Sequence, residues 1–184
     1  LYLEDISGPR ETIDRAAIHL ADWQLRSLVP DLPWLTRDQL GQRVSVTTLD
    51  WQTVDADPRA VDLWNRRESL LQRLSSLPRV LSHGDYSLGN LIARGRETVA
   101  LDWGTLGTAP VGSDLAHLAL SVPAEDPTTY FLEAAKDRWH TQDLIGGFQA
   151  TLALVGSSRA HWMLSRGLPL PKGYVDFLWD NRPK

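Results

Sequence analysis

A central segment, residues 79–116, constrains the fold most, because its apolar residues are spaced differently from those on either side of it. Arg79–Ser82 predicts a short strand, and residues 90–93 and 98–103 predict two further strands that turn at Gly95. Runs this short do not form the apolar stripe of a helix, so their backbones must pair as strands. The sequence therefore predicts a small β-hairpin at the centre of the domain.

The rest of the chain has the apolar spacing of three to four residues that is typical of helices. Thr36, with Gln39 three residues later, has the form of a capping box and predicts a helix start, and Asp57-Pro58 predicts another. We expect Gly146-Gly147 to loosen the start of the longest helix. Helical spacing covers residues 12–28, 58–77, 114–122, 128–139, 141–165 and 174–179. The fold class that we predict is α+β, mainly α, in one domain.

Composition excludes several classes of protein. The chain has no cysteine, which rules out disulfides and thiolate metal sites and fits the cytoplasm. Its net charge of −4 argues against a nucleic-acid partner, because such partners usually need a basic surface. No apolar run is long enough to cross a bilayer, so we expect no membrane span.

Three polar residues of the central segment form a pattern with chemical meaning. Asp85 and Asn90 lie five apart in the loop before the hairpin, and Asp102 follows twelve residues after Asn90. Phosphoryl transfer needs positioning and charge neutralisation more than covalent help from the protein. An Asp beside an acceptor hydroxyl orients it and accepts its proton, whereas Mg²⁺ takes a few hard oxygen ligands and leaves room for phosphates. The pattern therefore predicts a magnesium–nucleotide site for phosphoryl transfer.

The same residues resemble a known family. The run His83-Gly84-Asp85-x-x-x-x-Asn90, followed by Asp102-Trp103, resembles the aminoglycoside phosphotransferase and choline kinase family, whose members share the protein-kinase fold. The resemblance extends to Gly107, Pro110 and the run from Gly112 to Ala116. It implies that the mainly helical chain is the C-terminal lobe of a protein-kinase-like fold, with the hairpin at its centre.

The resemblance implies a role for each residue of the pattern. Asp85 would be the catalytic base, or the residue that orients the hydroxyl. Asn90 and Asp102 would hold Mg²⁺ against the phosphates of ATP or GTP. His83 would brace the loop from inside, and Asp114 would hydrogen-bond the loop backbone rather than touch substrate.

The start of the chain resembles the hinge that joins the two lobes of the family. Residues 1–8 are predicted as this hinge, with the backbone of Leu3 and Glu4 beside the adenine, and residues 9–184 as the C-terminal lobe. The family's N-terminal lobe carries a glycine-rich loop and a lysine that grips the phosphates. This chain has no G-x-G run and no lysine before Lys136, so we expect that the N-terminal lobe is missing and that the chain alone is inactive.

The motif does not encode the acceptor, so several functions stay open. We expect a small-molecule kinase for an aminoglycoside-like antibiotic, hence a role in antibiotic resistance; choline, homoserine and sugars are alternatives. Glu125, and Asp176 and Asp180 near Trp179, are candidates for binding a polyamine-like sugar, although they also suit a solvated helix face. A non-catalytic binding or regulatory module is the alternative from another class.

Overall fold

The computed structural model describes residues 8–27, 29, 33–135 and 138–184. The predicted hinge therefore lies almost wholly outside the described residues, as do Leu3 and Glu4. The elements within them are α1 (Ile13–Arg26), α2 (Gln39–Val46), α3 (Pro58–Asn65), α4 (Arg67–Ser75), β1 (Arg79–Ser82), β2 (Leu91–Arg94), β3 (Glu97–Ala100), β4 (Gly107–Pro110), α5 (Ser113–Ala119), α6 (Thr128–Ala135), α7 (Thr141–Leu164) and α8 (Tyr174–Asp180). The predicted fold class, α+β and mainly α, is confirmed.

The core is organised around α7. This helix packs against α3, α4, α5 and α8, while α1 packs against α5 and α6. Because neighbours surround α7, it is apolar on most of its circumference rather than on a single stripe, and Leu152 and Leu154 are fully buried. None of the helices that the structure describes is both long enough and apolar enough to span a bilayer.

The glycine pair near the start of α7 serves packing, and α7 continues through it. Both glycines lie inside α7, and both are buried. A Cβ on Gly147 would lie 1.9 Å from the carbonyl oxygen of Val111, and one on Gly112 would lie 2.4 Å from that of Leu144. The missing side chains let α7 touch the turn that leads into α5, so they fix the position of α5.

Two antiparallel strand pairs lie beside these helices. β2 and β3 form the predicted hairpin, with Leu91 opposite Ala100, and the chain turns at Gly95. β1 pairs with β4, with Ser82 opposite Gly107. β4 was not predicted, because three of its four residues, Gly107, Ala109 and Pro110, are of types that are uncommon in strands. Its pairing with β1, from an earlier part of the chain, makes it a strand.

The helices predicted at Thr36 and at Pro58 differ from the structure. The helix expected at Thr36 begins at Gln39, because the Thr36 carbonyl instead accepts a hydrogen bond from the N–H of Thr108 in β4. The single helix expected from Pro58 to near Pro78 is two helices, α3 and α4, which break at Arg66 and both pack on α7. Asp57 caps α3 as predicted, accepting a hydrogen bond from the backbone N–H of Arg59.

Candidate functional site

The loop between β1 and β2 is anchored on one buried carboxylate, that of Asp114 in the first turn of α5. Its Oδ1 accepts hydrogen bonds from Ser82 Oγ and the Gly84 N–H, both at 2.9 Å. Its Oδ2 accepts from the His83 N–H at 3.0 Å and from Gln24 Nε2 at 3.1 Å. Asp114 is only 1% exposed, so the four donors satisfy a charge that is out of contact with water. The carboxylate thus fixes the loop backbone where β1 ends.

His83 joins the loop to the end of the hairpin. Its ring is fully buried, and Nδ1 accepts a hydrogen bond from the Asp85 N–H at 3.3 Å. Nδ1 is therefore unprotonated, so the proton lies on Nε2, which donates to the Leu101 carbonyl at 2.7 Å. A single neutral ring spans the two backbone segments that carry Asp85 and Asp102.

The chain reverses at Gly84 to place Asp85 at the surface. Gly84 has φ +78°, a left-handed conformation that costs other L-residues roughly 1–2 kcal/mol. Asp85 follows with a side chain that is 52% exposed. The buried anchor and the exposed carboxylate are thus separated by a single turn of backbone.

Asp85 is held by Asn90 from the other end of its loop. Asn90 Nδ2 donates to the Asp85 carbonyl at 2.9 Å and to Asp85 Oδ2 at 3.0 Å. Interaction with His117, and then with Asn90, lowers the pKa of Asp85, although partial burial opposes this. The carboxyl therefore stays ionised at neutral pH and is available as a hydrogen-bond acceptor.

His117 and Arg43 complete the surroundings of Asp85, and neither was predicted. His117 Nδ1 lies 3.7 Å from Asp85 Oδ1, and its Nε2 lies 3.4 Å from Arg43 Nη2. A guanidinium only donates, so Nε2 must accept and the ring proton must lie on Nδ1, facing Asp85. One sequence signal existed for His117: it lies three residues after Asp114, on nearly the same face of α5. For Arg43, on α2, the sequence offered no signal.

Asn90 and Asp102 lie at the same end of the hairpin. The pairing of Leu91 with Ala100 continues to Asn90, whose carbonyl accepts a hydrogen bond from the Leu101 N–H at 2.8 Å. Asp102 is therefore one residue beyond the partner of Asn90. Because the Asn90 Nδ2 is committed to Asp85, its Oδ1 is the amide atom that remains for a ligand.

Asp102 has an unusual backbone. It has φ +57° and ψ +62°, and it is the one non-glycine residue with positive φ in the part of the chain that the structure describes. Its side chain is exposed, and none of the described residues donates a hydrogen bond to it. Strained residues that are exposed and unpartnered occur often at functional sites.

These oxygen donors suit a hard divalent cation with few protein ligands. The carboxylate of Asp102 and the amide oxygen of Asn90 are ligand types that Mg²⁺ takes, with phosphates and water completing its shell. No cluster of three or more His, Cys, Asp or Glu side chains that suits a metal occurs among the described residues. The site therefore fits a cation that is shared with a ligand better than one caged by protein alone.

A cleft of about 790 Å³ opens beside Asp85. One wall comes from α2 and the loop, and the other from α5 and α7, where Leu154 and Trp162 contribute apolar surface. Its volume suits a molecule of drug size. Arg10, Arg43 and Arg159 also line it.

The three acidic residues predicted to bind substrate lie elsewhere. Asp176 pairs with Arg59 at 2.8 Å between α3 and α8, and Asp180 is exposed at the end of α8. Glu125 is exposed in the turn after α5, where its N–H donates to the Val122 carbonyl. None of the three lines the cleft beside Asp85.

Comparison with known proteins gives a family and a fold. The model of the family described as "APH: Phosphotransferase enzyme family" matches residues 10–147. No curated protein matches the chain in sequence.

Several solved structures share the fold. Amicoumacin kinase hAmiN, in complex with AMP-PNP, Ca²⁺ and Ami, matches 97% of this chain and 62% of its own, with 16% identity and a TM-score of 0.58. A choline/ethanolamine kinase family protein from Mesorhizobium loti matches 91% and 60%, with 15% identity and a TM-score of 0.62. A choline kinase from Cryptosporidium parvum Iowa II matches 97% and 67%, with 11% identity and a TM-score of 0.55. The chain thus spans about three fifths of the length of the first two structures. The predicted family and the kinase-like fold are confirmed.

Proposed function

The chain belongs to the phosphotransferase enzyme family, and we propose that it carries the catalytic centre of a kinase that transfers the γ-phosphate of ATP to a hydroxyl of a small molecule. The observation that carries the proposal is the placement of Asp85: an ionised, half-exposed carboxylate at the edge of a large cleft, held by Asn90 and backed by a buried network.

In this proposal Asp85 receives the acceptor. Its carboxylate accepts a hydrogen bond from the acceptor hydroxyl, turns the oxygen towards the phosphate and takes the proton as the new bond forms. The low pKa of Asp85 supports this role, because the group must be unprotonated to accept. Asn90 limits the rotation of the carboxylate by binding both its Oδ2 and the carbonyl of the same residue.

Asn90 and Asp102 would hold Mg²⁺ through Oδ1 and the carboxylate. Such a cation would neutralise the charge of the phosphates. The left-handed backbone of Asp102 supports the assignment, because it places the side chain in solvent away from every described donor. His83 would keep the two segments at a constant separation through its bonds to Asp85 and Leu101.

The acceptor and the nucleotide contacts are expectations carried over from the sequence. An aminoglycoside-like antibiotic, choline, homoserine or a sugar are the acceptors that the family resemblance suggests, with GTP as an alternative donor. Leu3 and Glu4 would border the adenine. Asp176, Asp180 and Glu125 stay candidates for a remote contact with a cationic acceptor. The chain spans about three fifths of its structural relatives, so we expect the full-length protein to be active and these 184 residues alone to be nearly inactive.

The experiment is a phosphoryl-transfer assay with MgATP and a panel of small hydroxylated compounds. The full-length protein should phosphorylate at least one compound in a Mg²⁺-dependent reaction, and the 184-residue chain should do so far more slowly. If the full-length protein binds nucleotide but transfers phosphate to no compound, the proposal is contradicted. A non-catalytic kinase-like module then becomes the better description.

A further inference from the structure

The charges in the cleft beside Asp85 are the basis of the inference. Arg10, Arg43 and Arg159 line it, and Asp85 is the only carboxylate that does so among the described residues. The wall of the cleft is therefore cationic, although the chain as a whole is acidic.

Some arginines elsewhere in the molecule pair with carboxylates, whereas Arg67, Arg166 and Arg182 lie over tryptophan rings. Arg15 pairs with Glu11, Arg26 with Asp22, Arg66 with Asp62 and Arg79 with Asp38, at distances between 2.7 and 3.3 Å.

The three cleft arginines differ from the four that form these ion pairs. No carboxylate among the described residues lies within ion-pair distance of any of them. Arg43 instead contacts the His117 ring, and Arg159 Nη1 donates to the Leu120 carbonyl at 3.3 Å. These two contacts hold guanidinium groups at the wall without neutralising them.

Such a wall discriminates between acceptors by charge. A guanidinium binds carboxylate or phosphate oxygens through charge-assisted hydrogen bonds, whereas an ammonium group meets like charge there. Leu154, Val155 and Trp162 provide apolar surface in the same cleft, which suits a hydrocarbon or aromatic body.

We propose that the cleft binds an acceptor with three parts: a hydroxyl at Asp85, an apolar body, and an anionic carboxylate or phosphate group held by Arg43 and Arg159. The inference rests on the proposed function, since it names the substrate class of the same site. It runs against the polycationic acceptor expected from the sequence, because the acidic residues chosen for that role do not line the cleft.

The test uses three probes that share a hydroxymethylphenyl body and differ in one end group: a propanoate, the matching primary amide and the matching amine. Binding to the full-length protein is measured by calorimetry without nucleotide. The carboxylate should bind about tenfold more tightly than the amide, and the amine most weakly, because one charge-assisted hydrogen bond has this effect on affinity. Equal binding of the three, no binding by any, or tightest binding of the amine overturns the inference.

Substitution of single arginines shows which of them cause the preference for carboxylate over amide. Arg159→Gln and Arg43→Gln should each reduce the preference for carboxylate over amide by about threefold, because the two guanidinium groups share a preference of about tenfold. Arg26→Gln removes the same charge from an exposed position and is the control, with no change expected. Arg159→Gln is the cleaner variant, because Arg43 also contacts His117. An unchanged preference in both variants overturns the inference.

Two further measurements separate binding of the acceptor from binding of the nucleotide and from phosphoryl transfer. The dissociation constant of ATP should stay the same in Arg159→Gln; a loss of ATP affinity with unchanged carboxylate binding assigns the arginines to nucleotide phosphates and overturns the inference. Transfer from MgATP to the probes tests the proposed function independently. Arginine-dependent carboxylate binding without transfer contradicts the function alone, and transfer to the amine in preference to the carboxylate contradicts the inference alone.

Discussion

Two carboxylates, that of Asp85 on the loop between β1 and β2 and that of Asp114 on the helix beneath it, have opposite surroundings. Asp114 is 1% exposed and accepts four hydrogen bonds, about as many as an ionised carboxylate can. The side chain of Asp85 is 52% exposed, and beyond Asn90 its nearest polar partner is His117 at 3.7 Å. The protein supplies all the hydrogen bonds that Asp114 can accept, whereas Asp85 can still accept hydrogen bonds from a ligand.

The comparison shows how one sequence separates stability from chemistry. Asp114 fixes the backbone of the loop from below, and the left-handed turn at Gly84 carries the chain to the surface. We therefore name Asp114 and His83 the foundation and Asp85, Asn90 and Asp102 the rim. Substitutions in the foundation should act on folding, and substitutions in the rim should act on ligands and rate.

The largest effect is expected at the rim. Asp85→Asn keeps the size of the side chain and an acceptor for Asn90 but removes the base. The rate of phosphoryl transfer by the full-length protein should fall about 10²–10⁴-fold, since a general base contributes this much. The melting temperature should barely change. Asp55→Asn, at an exposed position away from the cleft, is the control; equal rates in the two variants would remove Asp85 from the mechanism.

In the foundation, Asp114→Ala should act on stability. It leaves the N–H groups of His83 and Gly84 and the Ser82 Oγ buried without their acceptor, while Gln24 Nε2 keeps its hydrogen bond to the Leu81 carbonyl. We expect the free energy of unfolding to fall by about 3 kcal/mol or more, because each buried unsatisfied group costs about 1–3 kcal/mol. Urea denaturation measures this. If Asp114→Ala is as stable as the parent and only its rate of phosphoryl transfer is reduced, Asp114 acts on the reaction, like the residues of the rim, and not on folding.

At Asp102, glycine should raise the free energy of unfolding relative to alanine, whereas both substitutions should weaken cation binding. Asp102→Gly removes the left-handed strain, so the free energy of unfolding should rise by as much as about 1 kcal/mol relative to Asp102→Ala. Both variants should bind Mn²⁺ with nucleotide more weakly than the parent does. Denaturation and Mn²⁺ titration give the two quantities, and unchanged Mn²⁺ binding in both variants would mean that Asp102 is not a ligand.

The smallest effect concerns His117. Its interaction with Asp85 is the largest influence that lowers the pKa of Asp85, so His117→Gln should raise this pKa towards its ordinary value of 3.8. A depressed pKa stabilises the folded state above the ordinary pKa, and the stabilisation is lost as pH falls through the folded value. The variant should therefore lose less stability between neutral and acid pH.

A ¹³C NMR titration of the Asp85 carboxyl measures the shift directly, with His140→Gln as the control at an exposed histidine. A pKa that stays in place in His117→Gln would show that Asn90 alone sets it.

The sequence predicted what is local along the chain. The hairpin, the strand before it and the helix that starts at Pro58 follow from short-range spacing and capping, as do the positions of Asp85, Asn90 and Asp102. All of these depend on neighbours within about twelve residues.

Features that depend on distant contacts were missed. β4 is a strand because β1 pairs with it, and the close approach of α7 to Val111 depends on Gly147. Arg43 reaches Asp85 through His117, from two helices far apart in sequence. The cationic wall of the cleft arises in the same way, so no single segment reveals it.

The central claim is that Asn90 and Asp102 hold a divalent cation that presents the nucleotide to Asp85. The most direct test is a crystal structure of the full-length protein with Mn²⁺ and a non-hydrolysable ATP analogue, read by anomalous scattering. We predict a Mn²⁺ peak within about 2.3 Å of both Asn90 Oδ1 and an Asp102 carboxylate oxygen. A bound nucleotide whose Mn²⁺ contacts neither residue would contradict the account.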